Sequence, residues 1–542
     1  MAKSDLRIEI LGTSITISTG EDPGYLRMLL DKYRRTIENV QRISGLKDPL
    51  KTAVLTGFLL CDDLEKAGTR ASGTGGEQNS PGETREAELL SLVISRLDEA
   101  VPDAVQESSG APSISIYKLK NAVKNYAWGS PEWLPALLGQ RNLSRIPWAE
   151  LWMGVNPAGP SRVVPETSGT GEGILLSELI ARDPSAYLGR ETVKNFGKLP
   201  FLFKVEAAAK PLSIQAHPNL EQAREGFERE NREGIPLDAP ERNYRDSNHK
   251  PEIICALSPF AALCGFRNVQ EIKTLIGILS RSCSGESDGA LKTALESLAS
   301  ALEREDENPL KAFIAALFGM ENQARQALGP FLKTRRDMLE KNFPQYQDEW
   351  KLCSYLASLY PDDTSASYDA SASLDAGIIA PLYLNIIELG PGEAMYLPAG
   401  VFHAYIHGMG IELMADSDNV LRGGLTPKHV DVKELFRILN FSEYKPEILK
   451  VPGPASEWYT YPAPAREFTL SVMRGSGGPL PYPETGPSIV LVTQGSAVVT
   501  GKSGGGGTEL LKGESAFIPA GAEKNLTFSG TFTAYVAACR SS

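Results

Sequence analysis

A nine-residue pattern occurs twice in the second half of the chain, and it limits the fold more than any other feature. Residues 392–400 read GEAMYLPAG, and residues 513–521 read GESAFIPAG. In each copy, a short run with strand character lies between two turns rich in glycine and proline. This is how a double-stranded β-helix barrel turns its corners. The repeat therefore predicts two related β barrels in one chain.

The two copies differ at the third residue after the repeat. The first copy continues to His403, whereas the second places Lys524 at the same position. Imidazole is a common metal ligand, and a lysine ammonium has no lone pair to offer. We therefore expect the first barrel to be able to hold a metal ion there and the second to be metal-free.

Length and composition exclude several classes of protein. At 542 residues the chain is too long for one hydrophobic core. A net charge of −12 argues against nucleic acid as the main partner. No apolar run has the length of a membrane span, and the start MAKSDLRIEI lacks the apolar core of a signal peptide. The 6 scattered cysteines form no C-x-x-C pair and are expected to be free thiols. We expect a cytoplasmic protein without a membrane partner.

The first 112 residues are expected to form a small separate unit followed by linkers. Residues 6–11 and 15–18 alternate like strands around a turn at Gly12–Thr13, which predicts a hairpin. Asp22–Pro23 and Asp48–Pro49 are helix start signals, and the second helix is expected over residues 50–64. Residues 69–82 and 102–112 have linker composition, and residues 83–101 between them predict a short amphipathic helix.

The remaining residues are strand-rich at both ends and helical in the middle. Helical periodicity over Ile272–Leu279 and Leu291–Leu302 predicts several helices within residues 265–362. Runs such as Leu382–Ile387 and Ser488–Val492 predict strands.

Four side chains suggest a metal site. Gln215 and His217 are two residues apart on a predicted strand, so they project from the same face. Glu252 follows a predicted loop, and His403 follows the first barrel turn. Two imidazole nitrogens and two oxygens suit zinc with a position open for substrate. Polar pairs on strands are also common as satisfied core residues, and spacing alone leaves that alternative open.

Longer motifs in the main body resemble the type I mannose-6-phosphate isomerases, a family of zinc enzymes. They are ordered along the chain and together span most of residues 114–542. The matching stretches are Asn125–Ser130, Ala149–Gly154, Leu212–Pro218, Asn248–Glu252 and Tyr396–Lys428.

The resemblance implies a fold, a reaction and a ligand set. The implied fold is mainly β with α, with two cupin barrels and a helical insertion. The implied reaction interconverts mannose 6-phosphate and fructose 6-phosphate. Gln215, His217, Glu252 and His403 are the implied ligands of one Zn²⁺, and Arg422 matches the family's active-site arginine. One departure is Val155-Asn156-Pro157, where the family commonly has Thr-His-Pro; no zinc ligand falls there.

The N-terminal segment resembles ZapA, a bacterial cell-division family that binds the FtsZ ring and self-associates through a C-terminal helix. The matching stretches lie within residues 5–67. The resemblance implies a small ββαα domain, self-association and FtsZ binding, and it makes the chain a natural fusion.

These inferences divide the chain into five parts. Residues 1–68 form the ZapA-like domain, and residues 69–112 form the linker with its short helix. Residues 113–264 and 363–450 form the catalytic cupin, residues 265–362 the helical domain, and residues 451–542 the metal-free cupin.

The implied reaction moves a proton between two neighbouring sugar carbons and needs a group that carries it. Candidates inside the matching motifs are Glu412, Lys250, His249 and Asp418, and the sequence does not choose among them. Glu412 could instead orient a metal ligand, and Lys250 could form a surface ion pair with Glu252.

A sugar phosphate also requires cationic and hydroxyl donors. Ser213, Lys428 and Arg422 are the expected phosphate-binding residues. Tyr405 shares a strand face with His403 and is expected either to line the pocket or to pack inside the barrel.

Two other functions remain open at this point. One is a non-catalytic sugar-phosphate-binding scaffold linked to cell division, which a complete ligand set and Arg422 disfavour. The other is a different cupin metal enzyme, such as an oxygenase, which a glutamine ligand and the long Tyr396–Lys428 match disfavour.

Overall fold

The computed structural model describes most of the main body and part of the N-terminal segment. The described residues are 4–10, 13–19, 33, 35–37, 116–164, 173–285, 288–359, 375–453, 457–501, 507–522 and 526–540. The chain divides into two compact units, Met1–Pro112 and Ser113–Ser542, and each is described by itself.

In the first unit, the predicted hairpin is confirmed. β1 (Ser4–Ile10) pairs antiparallel with β2 (Thr13–Thr19) in continuous register, from Ser4 opposite Thr19 to Ile10 opposite Thr13. Residues 33 and 35–37 are helical, and they fall within the first predicted helix. The predicted helices over 50–64 and 83–101, both linkers and Lys524 lie outside the described residues.

The second unit contains a first sheet of 10 strands, in which a long central strand carries most of the pairing. This strand, β13 (His403–Ala415), pairs with β7 (Phe201–Ala208) and β10 (Phe260–Phe266) along the sheet. It also pairs with β8 (Ile214–Ala216) and β9 (Glu252–Ala256). The strands of this sheet are β4 (Ala122–Lys124), β5 (Glu150–Met153), β7 (Phe201–Ala208), β8 (Ile214–Ala216), β9 (Glu252–Ala256), β10 (Phe260–Phe266), β11 (Leu384–Leu389), β12 (Ala394–Leu397), β13 (His403–Ala415) and β14 (Leu421–Gly424).

A second sheet, also of 10 strands, is built mainly from the C-terminal residues. Its strands are β3 (Tyr117–Lys120), β6 (Arg162–Val163), β15 (Trp458–Tyr461), β16 (Thr469–Ser476), β17 (Leu480–Pro481), β18 (Ser488–Thr500), β19 (Thr508–Leu511), β20 (Ser515–Ile518), β21 (Thr527–Ser529) and β22 (Thr531–Ala538). β3 pairs with β20, and β6 pairs with β3. The sequence division assigned all of residues 113–264 to the first barrel, whereas backbone pairing joins these two strands to the second sheet.

The two copies of the repeat have the same local structure. Gly392 and Gly513 have φ values of 85° and 86°, which favour glycine because a Cβ would be crowded there. Each is followed by a four-residue strand, β12 or β20, that pairs antiparallel with a neighbour. The predicted turn and strand at each copy are confirmed.

The predicted helical region, which lies between β10 and β11 of the first sheet along the chain, is confirmed. Its helices bury one continuous apolar cluster that includes Leu275, Leu295 and Phe313. Its helices are Val269–Arg281, Gly289–Ala301, Pro309–Phe318, Asn322–Asn342 and Gln347–Leu359. The other described α-helices are Trp133–Leu138, Leu176–Arg182, Pro184–Phe196, Leu220–Arg232, Ala380–Tyr383 and Val432–Ile438.

Two further observations concern exclusions made from composition. No helix in the described part of the chain has both the length and the apolar character needed to cross a bilayer. Five cysteines are free and buried, at positions 255, 264, 283, 353 and 539, which confirms the expectation of free thiols for these residues.

Candidate metal and active site

Three side chains predicted as metal ligands converge at the ends of neighbouring strands. His217 directly follows β8, Glu252 begins β9 and His403 begins β13. Glu252 Oε1 lies 3.3 Å from His217 Nε2, and Glu252 Oε2 lies 3.4 Å from His403 Nε2. The three ligand atoms lie within 4.8 Å of one another, and all three residues are buried. This arrangement could hold a metal ion.

The donor atoms of this cluster lack the hydrogen bonds that buried polar groups normally make. Nε2 of His217, Nε2 of His403 and both oxygens of Glu252 make no hydrogen bond to the described residues. Buried polar atoms are rarely left in this state without a bound ion or water. Two imidazole nitrogens and a carboxylate that share one space therefore fit a divalent cation.

Backbone carbonyls orient both imidazole rings towards the cluster. His217 Nδ1 is 2.8 Å from the carbonyl oxygen of Asn419, and His403 Nδ1 is 3.0 Å from that of Val401. A proton on Nδ1 leaves Nε2 with a free lone pair, the form that ligates metals. Burial, together with the nearby Lys250 ammonium, lowers the pKa of His217 to about 4, so the ring is neutral at physiological pH.

Gln215 lies beside this cluster in the backbone register. It pairs with His403 on one side and with Arg422 on the other, and its side chain is half-buried. Gln215 and His217 are two residues apart along β8 and its extension, so their side chains share one face of the strand.

Lys250 and His249, two candidates from one motif, have different partners. Lys250 Nζ is 2.8 Å from Glu252 Oε1 as an ion pair, although the angle is not that of a hydrogen bond. Both side chains are buried, so the ion pair predicted at the surface lies inside the protein. His249 Nε2 is instead 2.8 Å from Glu467 Oε1, a residue of the C-terminal part of the chain.

Glu412 is held by two donors on the inner face of the first sheet. Lys204 Nζ donates a 2.8 Å hydrogen bond to Glu412 Oε2, and the Tyr405 hydroxyl donates a 2.9 Å hydrogen bond to Oε1. Tyr405 is thus buried, and its hydroxyl is engaged by Glu412. Burial raises the pKa of Glu412, but the Lys204 ammonium more than offsets this and lowers it below its usual value.

Charged side chains continue along this face of the sheet. Lys204 lies opposite Glu412 and Trp152, and Glu206 lies opposite Glu150. Burial lowers the pKa of Lys204, but Glu412, Glu150 and Glu206 raise it well above its usual value. Lys204 is therefore an ammonium at any pH of interest.

Three cations lie near one another at the edge of the site. Burial and the neighbouring Arg245 lower the pKa of Arg422. Burial lowers that of Lys428, with further contributions from Arg422 and Arg245. Arg422 pairs through its backbone with Gln215, and Ser213 is half-buried just before β8. Positive charge thus gathers where the strand of the metal cluster begins.

A buried asparagine links the loops of the site. The backbone carbonyl of Asn419 accepts from His217 Nδ1. Its side-chain Oδ1 accepts a 2.7 Å hydrogen bond from the backbone N–H of Arg245. Its Nδ2 donates to the carbonyl of Asn248 over 2.8 Å. The neighbouring Asp418 is half-buried, and its backbone N–H donates to Asp246 Oδ2 over 2.8 Å.

Sequence reasoning did not identify Lys204, Glu206, Arg245 and Asn419 as site residues. One signal could have found the first two: the strand FLFKVEAA is apolar except for Lys204 and Glu206, which share a face. Every residue of this strand is buried, and a buried charge in a strand requires a partner. Arg245 and Asn419 depend on contacts between distant loops and carry no local signal.

Comparison with known proteins places this geometry in a family. The family model for the catalytic domain of type I phosphomannose isomerase matches residues 116–269. Mannose-6-phosphate isomerase from Escherichia coli strain K12 is 38% identical over 417 residues, which cover 77% of this chain and 97% of the relative. The chain belongs to the mannose-6-phosphate isomerase family. The similarity extends to plants, since mannose-6-phosphate isomerase 2 of Arabidopsis thaliana is 36% identical over 76% of this chain and 90% of its own length.

Solved structures of mannose-6-phosphate isomerases are similar as well. A zinc-bound crystal structure of one such enzyme has a TM-score of 0.67 and 36% identity, and covers 79% of this chain and 100% of its own. A lysine-to-alanine variant of the Salmonella typhimurium enzyme also has a TM-score of 0.67, with 35% identity and the same coverage. The main body of this family member therefore has the mixed α/β, sheet-rich structure of its relatives.

The N-terminal residues match a different family. The model for the cell division protein ZapA matches residues 6–100. This range is longer than the resemblance over residues 5–67 and includes the amphipathic segment at 83–100. The isomerase family model begins at residue 116, after the ZapA match ends.

Proposed function

We propose that this family member is an aldose–ketose isomerase that interconverts D-mannose 6-phosphate and D-fructose 6-phosphate. The observation that carries the proposal is the convergence of His217, Glu252 and His403 with their donor atoms unsatisfied. A non-catalytic scaffold would have no reason to retain buried ligand atoms that make no hydrogen bond, since each costs free energy. The scaffold alternative is therefore not favoured.

We propose that one Zn²⁺ is the ion held here, with Gln215 as the fourth ligand beside His217, Glu252 and His403. The set of two imidazoles, one carboxylate and one amide oxygen suits zinc. When bound, zinc supplies a Lewis acid that stabilises negative charge on the substrate oxygens during isomerisation. Lys250 neutralises part of the charge on Glu252 and holds that carboxylate in place.

Glu412 is the residue we propose to carry the proton between the two sugar carbons. Lys204 and Tyr405 hold the ionised Glu412 carboxylate in a fixed orientation, which a residue that accepts a proton requires. Asp418 and Lys250 are the alternatives. His249 is assigned a structural contact with Glu467 instead.

The substrate phosphate is proposed to bind at Arg422, Lys428 and Ser213, with Arg245 as a further cation. Arginine and lysine side chains suit a dianion, and Ser213 offers a hydroxyl donor. Burial lowers the pKa values of Arg422 and Lys428, and the neighbouring Arg245 lowers both further, so a bound phosphate would supply the negative charge that these cations lack.

We also propose a finer architecture for the two sheets and a binding partner for the N-terminal part. The two sheets are proposed to be cupin barrels, with the division of residues described from the sequence. The match to ZapA supports a ββαα domain that mediates self-association and binds FtsZ. These partners, like the enzyme, would lie in the cytoplasm.

A coupled assay for fructose 6-phosphate tests the proposed activity. Chelator-treated protein should lose turnover with mannose 6-phosphate, and added Zn²⁺ should restore it. The variant Gln215→Ala/His217→Ala should not recover. His429→Ala, which alters an exposed histidine of the same region, is the matched control and should behave like wild type.

A further inference from the structure

Glu206 is a buried carboxyl that the proposed mechanism does not use. Its side chain is 2% exposed, and Oε1 lies 3.6 Å from Lys204 Nζ. Its Oε2 has no hydrogen-bond partner among the described residues. Because buried polar atoms are normally satisfied, this oxygen requires an explanation.

The charges around Glu206 do not balance if every group ionises. Lys204 Nζ is already paired with Glu412 at 2.8 Å. Glu150, the register neighbour of Glu206, accepts a 2.6 Å hydrogen bond from Trp152 Nε1, a neutral donor. Three carboxyls thus surround one ammonium, and an ionised Glu206 would add negative charge that nothing buried beside it neutralises.

We propose that Glu206 is held as a neutral carboxylic acid and acts as a positioning residue, which keeps the Lys204 ammonium paired with Glu412. A protonated carboxyl offers both a donor and an acceptor. With Oε1 as the carbonyl oxygen 3.6 Å from Lys204 Nζ, the proton lies on the buried Oε2, so the side chain brings no second negative charge to the ammonium. This role rests on the proposed function, because it acts through the group assigned to carry the proton.

The electrostatics of the strand face agree with this geometry. Burial raises the pKa of Glu206 well above its usual value, and Glu150 and Glu412 raise it further, while Lys204 lowers it. The groups that face it are Lys204 on β7, Glu150 on β5, Glu412 on β13 and the Tyr126 hydroxyl, whose own pKa responds to Glu206. Apart from Lys204, none of these carries positive charge.

The proposal has a consequence at alkaline pH. When Glu206 loses its proton, a second carboxylate competes with Glu412 for the Lys204 ammonium. In a plot of turnover against pH, the rate should therefore fall at alkaline pH as Glu206 ionises, and this fall is the alkaline limb of the profile. Glutamine has the same shape and stays neutral at every pH, so Glu206→Gln should move that limb to higher pH.

The experiment compares wild type, Glu206→Gln and Glu206→Leu as full-length, zinc-loaded proteins. Infrared difference spectra between wild type and each variant at neutral pH should contain the carbonyl stretch of a protonated carboxylic acid. At neutral pH, Glu206→Gln should retain turnover within about fivefold of wild type, because a neutral amide of the same shape replaces a neutral carboxyl. Glu206→Leu should lose more, since leucine offers neither donor nor acceptor. Glu388→Gln, an exposed strand position, should leave both readouts unchanged.

Two results would overturn the proposal: difference spectra without the protonated carboxyl band, or a Glu206→Gln variant with an unshifted alkaline limb. If Glu206→Gln does not fold, Glu206→Leu still reports the band. Failure of the proposed function looks different, because wild type would then lack turnover while the infrared band could still be recorded.

Discussion

Lys204 and Glu412 form a buried ion pair on adjacent strands, with 2.8 Å between Nζ and Oε2. Both side chains are less than a tenth exposed. The strand that carries Glu412 also begins with His403, so one strand contributes both to the metal cluster and to the charged face beside it. A substitution in this pair is therefore expected to affect both the stability of the sheet and the site beside it.

Replacing Lys204 with methionine should destabilise the protein strongly. Removing one member of a buried pair leaves the other charge without compensation, at a cost of about 3–5 kcal/mol. Denaturant unfolding of Lys204→Met against the exposed control Lys210→Met measures the difference. The double variant Lys204→Met/Glu412→Leu should regain part of the loss. Equal stability of Lys204→Met and wild type would show that the pair contributes little.

Asn419→Ala should weaken metal binding. The side chain holds the backbone of the 245–248 loop, and the backbone carbonyl of the same residue orients His217. Losing a residue that orients a ligand typically costs about 10- to 100-fold in metal affinity. Chelator competition measures that affinity, and Asn322→Ala, at an exposed helix position, is the control. An unchanged affinity would mean that the loops keep their places without this side chain.

His249→Leu should lower stability in a pH-dependent way. Burial raises the pKa of Glu467, but the hydrogen bond from His249 outweighs it, and the pKa lies below the usual 4.5. A carboxyl with a depressed pKa stabilises the fold above its unfolded-state pKa, and that stability is lost as pH falls through the folded-state value. The free energy of unfolding of the variant at pH 7 should therefore be lower than that of wild type by about 1 kcal/mol.

Thermal unfolding at a series of pH values measures this difference. The difference in unfolding temperature between His249→Leu and wild type should become smaller once the pH falls below the usual carboxyl pKa of 4.5. A gap of constant size across that range would assign the contact a role in packing alone.

Much of the metal cluster could be predicted because its signals are local. His403 follows a repeated turn, and the strand before His217 alternates, so each ligand lies at a recognisable element boundary. The hairpin of the first unit and the helices between residues 269 and 359 were likewise accessible, since strand alternation and helical periodicity arise from nearby residues.

The partners of the charged residues could not be predicted in the same way. His249 was a catalytic candidate from its motif, yet its imidazole faces Glu467, which is 218 residues away along the chain. For Tyr405, the position on the strand predicts either pocket lining or packing inside the barrel, and it does not reveal the hydrogen bond to Glu412. The pairing of β3 with β20 likewise depends on how distant strands meet, which periodicity does not encode.

The N-terminal unit should set the oligomeric state. The isomerase family model begins at residue 116, after the ZapA match ends, so protein from Ser113 onward keeps the residues that the isomerase model matches. Light scattering should give a larger assembly for the full chain than for protein beginning at Ser113. Equal assemblies would remove self-association from the account of the ZapA-like part, and the isomerase proposal would be unaffected.

The central claim is that His217, Glu252 and His403, with Gln215, hold one zinc ion on which isomerisation depends. The most direct measurement determines zinc content and mannose 6-phosphate turnover on the same preparations of wild type and His217→Ala. We predict about one zinc per chain with turnover in wild type, and loss of both in the variant. A His217→Ala protein that still isomerises mannose 6-phosphate after chelation would contradict the account.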